Sequence, residues 1–299
     1  MTSIISPLRY PGSKRRLAKY IYQVLQENAL KPDLFVEPFA GGASVSLQLL
    51  NDGAVEQIGL IEKDPLVASF WEVVFSKKKV KRLIEQIEAV DVTLEKWHEF
   101  KHGQHEGKEA QALACLFLNR TSFSGILAPS AGPLGGQEQQ SPYPIDCRFP
   151  KQTLVSRIRQ AHALRDKVAF VWQTDWTTGL KRIAKKQSQE KLPQDVFFYF
   201  DPPFFHKADR LYNFYFANGD HAHLRDTILT IEENWLLSYD YCDEVTELYG
   251  GNGNNSQTDI EMLYSASQNG GQRAVKEVIL TNLTKLPDNK KLWHRQSAP

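Results

Sequence analysis

Residues 197 to 205, Phe-Phe-Tyr-Phe-Asp-Pro-Pro-Phe-Phe, constrain the fold more than any other stretch. So continuous a run of large apolar side chains reads as a strand buried on both faces of an open parallel sheet. The run stops at an acid, which puts Asp201 just past the carboxyl end of the strand, where such sheets hold their ligands. Pro202 and Pro203 have no amide hydrogen and a restricted φ, so the turn presents carbonyl oxygens in a stiff geometry. A carboxylate, a rigid carbonyl and the ring of Phe204 can together grip a flat amine-bearing ring, with two acceptors for the amine and one face for stacking.

A second element of the same kind lies upstream. Leu34-Phe35-Val36 is a short strand that runs into Glu37-Pro38-Phe39-Ala40-Gly41-Gly42-Ala43-Ser44 and then a helix through Leu50. Strand, glycine turn and helix N-terminus form a nucleotide-cradling unit. The glycines depart from G-x-G-x-x-G, which favours a cofactor without phosphates. Another strand, Ile58 to Ile61, ends at Glu62, 20 residues after Gly42. That is the place for a carboxylate on ribose hydroxyls.

Before these units, residues 7 to 14 read as a basic turn leading into a helix over about 14–28, with Leu17, Ile21, Val24 and Leu25 on one face. The alternation of strand and helix lapses from Trp71 to Arg165. Helical patterns at 80–89 and 110–118 flank a Gly-, Pro-, Ser- and Gln-rich loop from Thr121 to Pro150, and loops of that length in compact proteins carry function or are disordered. The expected division is a catalytic part, 1–72 with 166–299, and a mostly helical insert, 73–165. Strands resume at 168–172, 235–239, 262–265 and 278–283, and a polar glycine-asparagine loop at 250–257 reads as mobile.

Net charge is only +1 over 299 residues, which excludes a polybasic tail but not a local basic face. Basic residues crowd 9–19, 77–82 and 151–167. Three widely spaced cysteines argue for a reducing compartment and against a disulfide framework or a cysteine metal site. With no membrane-length apolar run and no signal-peptide core, a cytoplasmic protein is expected. His98-Glu99-Phe100-Lys101-His102 matches the zinc-protease pattern H-E-x-x-H. Gly103 follows at once and the surroundings are charged, so no metal is expected there. His221 and His223, after Asp220, read as exposed residues of a helix's first turn.

Four motifs occur in order: Arg-Tyr-Pro-Gly-Ser-Lys (9–14), Phe-Val-Glu-Pro-Phe-Ala-Gly-Gly (35–42), Phe-Leu-Asn-Arg-Thr-Ser-Phe-Ser-Gly (117–125) and Asp-Pro-Pro-Phe (201–204). Together they resemble the S-adenosylmethionine-dependent DNA adenine N6-methyltransferases whose target-recognition insert precedes the D-P-P-Y motif. The late stretch 264–282, with Asn269-Gly270-Gly271, Arg273 and Glu277, resembles that family's C-terminal strand pair. The resemblance implies an α/β fold: a Rossmann-like class I methyltransferase sheet with helices on both faces and an inserted DNA-recognition subdomain. It implies transfer of methyl from S-adenosylmethionine, leaving S-adenosylhomocysteine, to N6 of an adenine flipped out of duplex DNA, with no metal.

By the same resemblance, Asp201, Pro202, Pro203 and Phe204 are catalytic. Tyr10, Pro11, Gly12, Lys14, Glu37, Pro38, Phe39, Gly41, Gly42, Glu62, Lys63, Asp175, Trp176 and Asp201 hold the cofactor. Arg9, Lys14, Asn119, Arg120, Thr121, Ser122, Phe123 and Ser124 contact DNA. A monomer or weak dimer is expected, and a cognate restriction endonuclease is a partner the family allows. Two departures stand out: Phe204 replaces the usual tyrosine, and Ala128-Pro129-Ser130 stands where GATC-reading relatives carry an arginine and polar residues. Cytosine N4-methylation favours serine at the position of Asp201. RNA adenine methylation, or a catalytically weak DNA-binding relative, are the alternatives.

Overall fold

A computed structural model of the chain describes residues 3–9, 14–206, 208–211, 213–217, 219–250, 255–264 and 273–292. Tyr10, Pro11, Gly12, residues 251–254 of the 250–257 loop and Asn269-Gly270-Gly271 lie outside the described residues. The first half of the sheet follows the reading of the sequence. Strand β1 (Leu34–Glu37) leads through the glycine turn into α2 (Ser44–Asn51), then β2 (Gln57–Glu62) and α3 (Pro65–Val74), with α1 (Arg15–Glu27) ahead of them. After the insert come β3 (Val168–Gln173), α8 (Trp176–Gln187), β4 (Val196–Phe200), α9 (Ala208–Leu211), α10 (Asp220–Ile228) and β5 (Asn234–Asp240). The chain closes with α11 (Asp243–Tyr249), β6 (Ser256–Tyr264) and β7 (Arg273–Thr281).

These strands form one seven-stranded sheet in the order β3-β2-β1-β4-β5-β7-β6. The pairs from β3 to β5 are parallel, whereas β7 lies antiparallel between β5 and β6. The closing strands are longer than the sequence suggests and start earlier, β6 at Ser256 and β7 at Arg273. Their alternating polar residues hide a strand from an apolar-run criterion.

The central strand β4 is buried at all five positions. Successive side chains of a strand point to opposite faces. Phe197 and Tyr199 accordingly join one core with Phe35, Leu60 and Leu236, while Phe198 and Phe200 join the other with Val36, Ile61 and Leu237. Helices α1 to α3 cover the first face, and α8, α10 and α11 cover the second. Burial on both sides is why the run has no polar alternation.

The insert carries α4 (Val80–Ala89), α5 (Leu94–His102), α6 (Gly107–Thr121) and α7 (Lys151–Ala163). Leu83, Trp97, Leu116, Phe117, Leu154 and Ile158 belong to the same core as Phe35 and Leu60, so these helices extend the core of the sheet. Helix α3 runs on to Val74 and packs along α6, so residue 73 falls within its last turn. The loop 121–150 buries Ile126, Ala128, Ile145 and Phe149, and a bridge ties Ser122 to Pro133.

Candidate active site

The carboxyl ends of β1, β2, β3 and β4 open onto a cavity of about 350 Å³. One wall is the glycine turn. Gly41 and Ala43 both adopt left-handed φ, 43° and 47°, and Ala40 donates to the Ile61 carbonyl at 3.0 Å. The bend turns backbone N–H groups inward. Glu62 accepts from the Gly41 amide at 2.8 Å and from the Asp64 amide at 2.9 Å. Glu37, at the end of β1, accepts from the Ser46 amide at 2.6 Å. Burial lifts both acids, Glu62 to about 7 with a further push from Asp64, and Glu37 to about 8 despite its Ser46 bonds.

Asp175 stands at the N-cap of α8. Partial burial pushes its carboxyl up, but bonds from Thr177 and the Thr178 hydroxyl and amide outweigh that and leave it at about 2. Trp176 and Phe39 supply rings to the same space, 6.2 Å apart, and Pro38, Gly42 and Lys63 line it with them.

The opposite wall is Asp201 with its neighbours. Ser238 donates to Asp201 Oδ1 at 3.0 Å. Tyr199 lies 2.9 Å from Ser238 Oγ and, since that hydroxyl's proton is committed to the carboxylate, acts as donor to it. Lys14 Nζ reaches Asp201 Oδ1 at 3.4 Å and Glu277 Oε1 at 2.6 Å. The side chains of Lys14 and Glu277 are 3% and 1% exposed, whereas Asp201 is 27% exposed toward the cavity. Burial raises the Asp201 carboxyl to about 6; Lys14 pulls it down and Glu277 pushes it up. Pro202, Pro203 and Phe204 line the cavity beside it, with the Phe204 ring 5.6 Å from Lys14 Nζ. The cation is thus an inner member of the site and does not reach the surface as a phosphate contact would.

Three features of this site were not anticipated. The first is the chain of Tyr199, Ser238 and Glu277 behind Asp201. The second is the segment 213–217, which crosses the cavity: Asn213 donates to Asp64 Oδ2 at 2.8 Å, Lys63 lies over Phe214 at 5.4 Å, and Phe216 meets Phe39 edge-on at 5.7 Å. Its Phe-Tyr-Phe cluster, ten residues beyond Asp201-Pro202-Pro203-Phe204, was the available signal. The third is His221, expected to be exposed. It is buried, bonded to the Tyr239 hydroxyl and stacked on Phe205 at 4.2 Å, and burial lowers it to about 4. Asp220 is the first residue of α10, whose N-cap is Gly219. His223 remains exposed at the cavity rim.

The 117–125 motif divides in two. Asn119, Arg120, Thr121 and Ser122, expected in a DNA-contacting loop, are buried with their polar groups engaged inside the protein. Asn119 accepts from the Arg9 amide at 2.7 Å and donates to the Arg9 and Gly125 carbonyls, both at 2.9 Å. Arg120 clamps the Pro7 carbonyl, Thr121 donates to Phe117 O at 2.7 Å, and Ser122 accepts from Trp97 Nε1 at 3.1 Å. Gly125 has φ +76°, and a Cβ there would sit 2.1 Å from the Arg9 carbonyl oxygen. These residues therefore fasten the N-terminal arm to the insert, with Arg9 half-buried between them. Phe123, 54% exposed, and the half-buried Ser124 stand outside.

The H-E-x-x-H stretch forms most of α5. His98 bonds to Gln137 Oε1 at 3.0 Å and its ring stacks on His102 at 5.9 Å; among the described residues neither belongs to a metal-competent cluster. No described helix is long and apolar enough to cross a membrane.

A sheet of this order, with a glycine turn after its first strand and an acid-proline-proline-aromatic turn after its fourth, defines a Rossmann-like class I methyltransferase. The sequence pattern of the D12 class N6 adenine-specific DNA methyltransferases matches residues 10–264, and the chain belongs to that family of DNA-modifying enzymes. No curated protein matches it. Among solved structures, a precorrin 8W decarboxylase of Methanobacterium thermoautotrophicum is 11% identical over 94% of this chain and 98% of its own, with a TM-score of 0.36, too low for any inference.

Proposed function

We propose that the chain transfers a methyl group from S-adenosylmethionine to N6 of an adenine flipped out of duplex DNA, and that Asp201, Pro202, Pro203 and Phe204 form the reacting corner. One observation carries this reading: Asp201 and the glycine turn line the same cavity from opposite walls. The donor set fits the cofactor. Glu62 and Glu37 suit hydroxyls and cationic groups, Phe39 and Trp176 suit the faces of a purine, and Lys63 and Asp175 border them. The cofactor supplies an electrophilic methyl on a sulfonium and leaves as S-adenosylhomocysteine.

The exocyclic nitrogen of adenine is a poor nucleophile because its lone pair is delocalised into the ring. Asp201, ionised above about 6, accepts one amine hydrogen and the Pro202 carbonyl accepts the other. Both bonds favour a pyramidal nitrogen whose lone pair is free to react. Lys14 and Ser238 hold Asp201 by Oδ1, which turns Oδ2 toward the amine and lets it keep the hydrogen the nitrogen gives up. Phe204 stacks on the base, and the loss of the tyrosine hydroxyl leaves that role intact. Flipping costs a few kcal/mol, and positioning together with the fixed acceptors offsets it. Residues 73–165 supply target recognition, with Phe123 and Ser124 on the face toward DNA, and a cognate endonuclease is a partner to seek.

Labelled methyl should appear on duplex DNA with native chain and vanish with Asp201→Ala, and sequencing of modified bases should report N6-methyladenine. Methylated cytosine, transfer to RNA alone, or undiminished transfer by Asp201→Ala would refute the reading.

A further inference from the structure

We propose that His206, Cys242 and Glu244 form a three-ligand site for a borderline-soft divalent cation, Zn²⁺ above all, with a fourth position open to water. Their donor atoms (an imidazole nitrogen, the thiol sulfur and a carboxylate oxygen) all lie within 4.8 Å of one another, and no other such group occurs among the described residues. His206 Nε2 is 3.1 Å from Glu244 Oε1. In a tetrahedral zinc site, with bonds of about 2.0 to 2.3 Å, neighbouring ligand atoms sit about 3.3 to 3.8 Å apart. Closing from 4.8 Å asks only for side-chain rotation. His206 and Glu244 are free to supply it, being 55% and 46% exposed.

The set is mixed in the way zinc favours: one thiolate, one imidazole and one carboxylate, from two separate segments. His206 comes from the turn after β4, two residues past Phe204. Cys242 is the N-cap of α11 and Glu244 lies in its first turn. On binding, the thiol loses its proton to solvent and the metal replaces the His206–Glu244 ion pair. The cation then acts as a clamp between the turn that carries Phe204 and the start of α11. That turn already leans the same way, since the Phe205 amide donates to Asp240 Oδ1 at 3.1 Å. The role is structural, separate from methyl transfer, and independent of the function proposed above.

Stripped full-length protein titrated with Co²⁺, a spectroscopic stand-in for Zn²⁺, is expected to bind one equivalent and develop thiolate-to-metal charge-transfer absorption. Cys242→Ser should abolish that band, and His206→Ala or Glu244→Gln should weaken binding at least about tenfold. Cys147→Ser and His98→Ala should titrate like the native chain. Zn²⁺ should raise the Tm of the native chain by more than that of His206→Ala at the same concentration. Two outcomes overturn the proposal: no saturable binding, so that the trio is an ion pair beside a thiol, or a signal that follows Cys147 or His98.

Discussion

The two walls of the cavity hold their carboxylates in different ways. On the glycine-turn side, Glu62 and Glu37 are fixed by backbone amides at 2.6 to 2.9 Å, from residues at most 21 positions away. On the other side, Asp201 is held by side chains: Lys14, itself paired with Glu277 from the opposite end of the chain, and Ser238 from the next strand. Amide donors cannot change charge, so the first wall is a fixed mould. The second is a network of ionisable groups in which each member sets the charge of the next. A site that binds with one wall and reacts at the other is served by that division.

The sharpest way to break the comparison is to neutralise the reactive wall at its centre. Asp201→Asn keeps the shape and can still bond Ser238, yet loses an acceptor matched to the amine. Methyl transfer is expected to fall by about 10²- to 10³-fold while cofactor affinity stays within a few fold. Equal loss of both would mean that the walls are not specialised. Next in size is Phe204. Stacking of a base on an aromatic side chain is worth about 1 to 3 kcal/mol, or about 5- to 150-fold. Phe204→Ala should lose that much in transfer, with Phe204→Tyr close to the native chain.

A pair of variants with opposite signs tests the network itself. Lys14 lowers the Asp201 carboxyl and Glu277 raises it. Lys14→Met should therefore move the acid limb of the pH–rate profile upward from about 6 by roughly one pH unit or more. A shift of one unit then costs about twofold in activity near neutrality and more at lower pH, with recovery in alkali. Glu277→Gln keeps a partner for Lys14 but removes the negative charge, so the limb moves down and the loss near neutrality is small. Two shifts of the same sign would show that Lys14 acts on cofactor or DNA and not through Asp201.

Much of the first wall was legible in the sequence, because its contacts are local. A strand, a glycine turn and an acid 20 residues on are close enough for spacing to place them together. The acid of the second wall was equally plain, since a buried aromatic run that ends on Asp201 can end nowhere but a strand tip. Its partners were not. Lys14 and Glu277 are 263 residues apart and meet because β7 slips antiparallel beside β5, which puts Glu277 opposite Asp240. Periodicity gives strands, not their order. The resemblance puts Asn119 to Ser122 in a DNA-contacting loop, but the last turn of α6 lies under the N-terminal arm, whose carbonyls need those donors. His221 reads as exposed because nothing local announces Phe205 and Tyr239 above it.

The smallest expected effect concerns the mould. Glu62 and Glu37 titrate at about 7 and about 8 in the folded chain, against an ordinary value of 4.5. With folded values above the unfolded one, the native state holds the extra protons. Its stability is then full below about 4.5 and declines as pH climbs through 7 and 8. A cationic cofactor reverses the penalty by favouring the carboxylates, so its binding near neutrality should expel protons. Calorimetry in two buffers of different ionisation enthalpy reads that release directly. Glu62→Gln should lower the number released and weaken cofactor binding about tenfold, the loss of one charge-assisted bond, with kcat almost unchanged. Binding heats that ignore the buffer would mean that the acids are already ionised. The backbone amides alone would then suffice to hold their charge, and the glycine-turn wall would carry a fixed charge near neutrality.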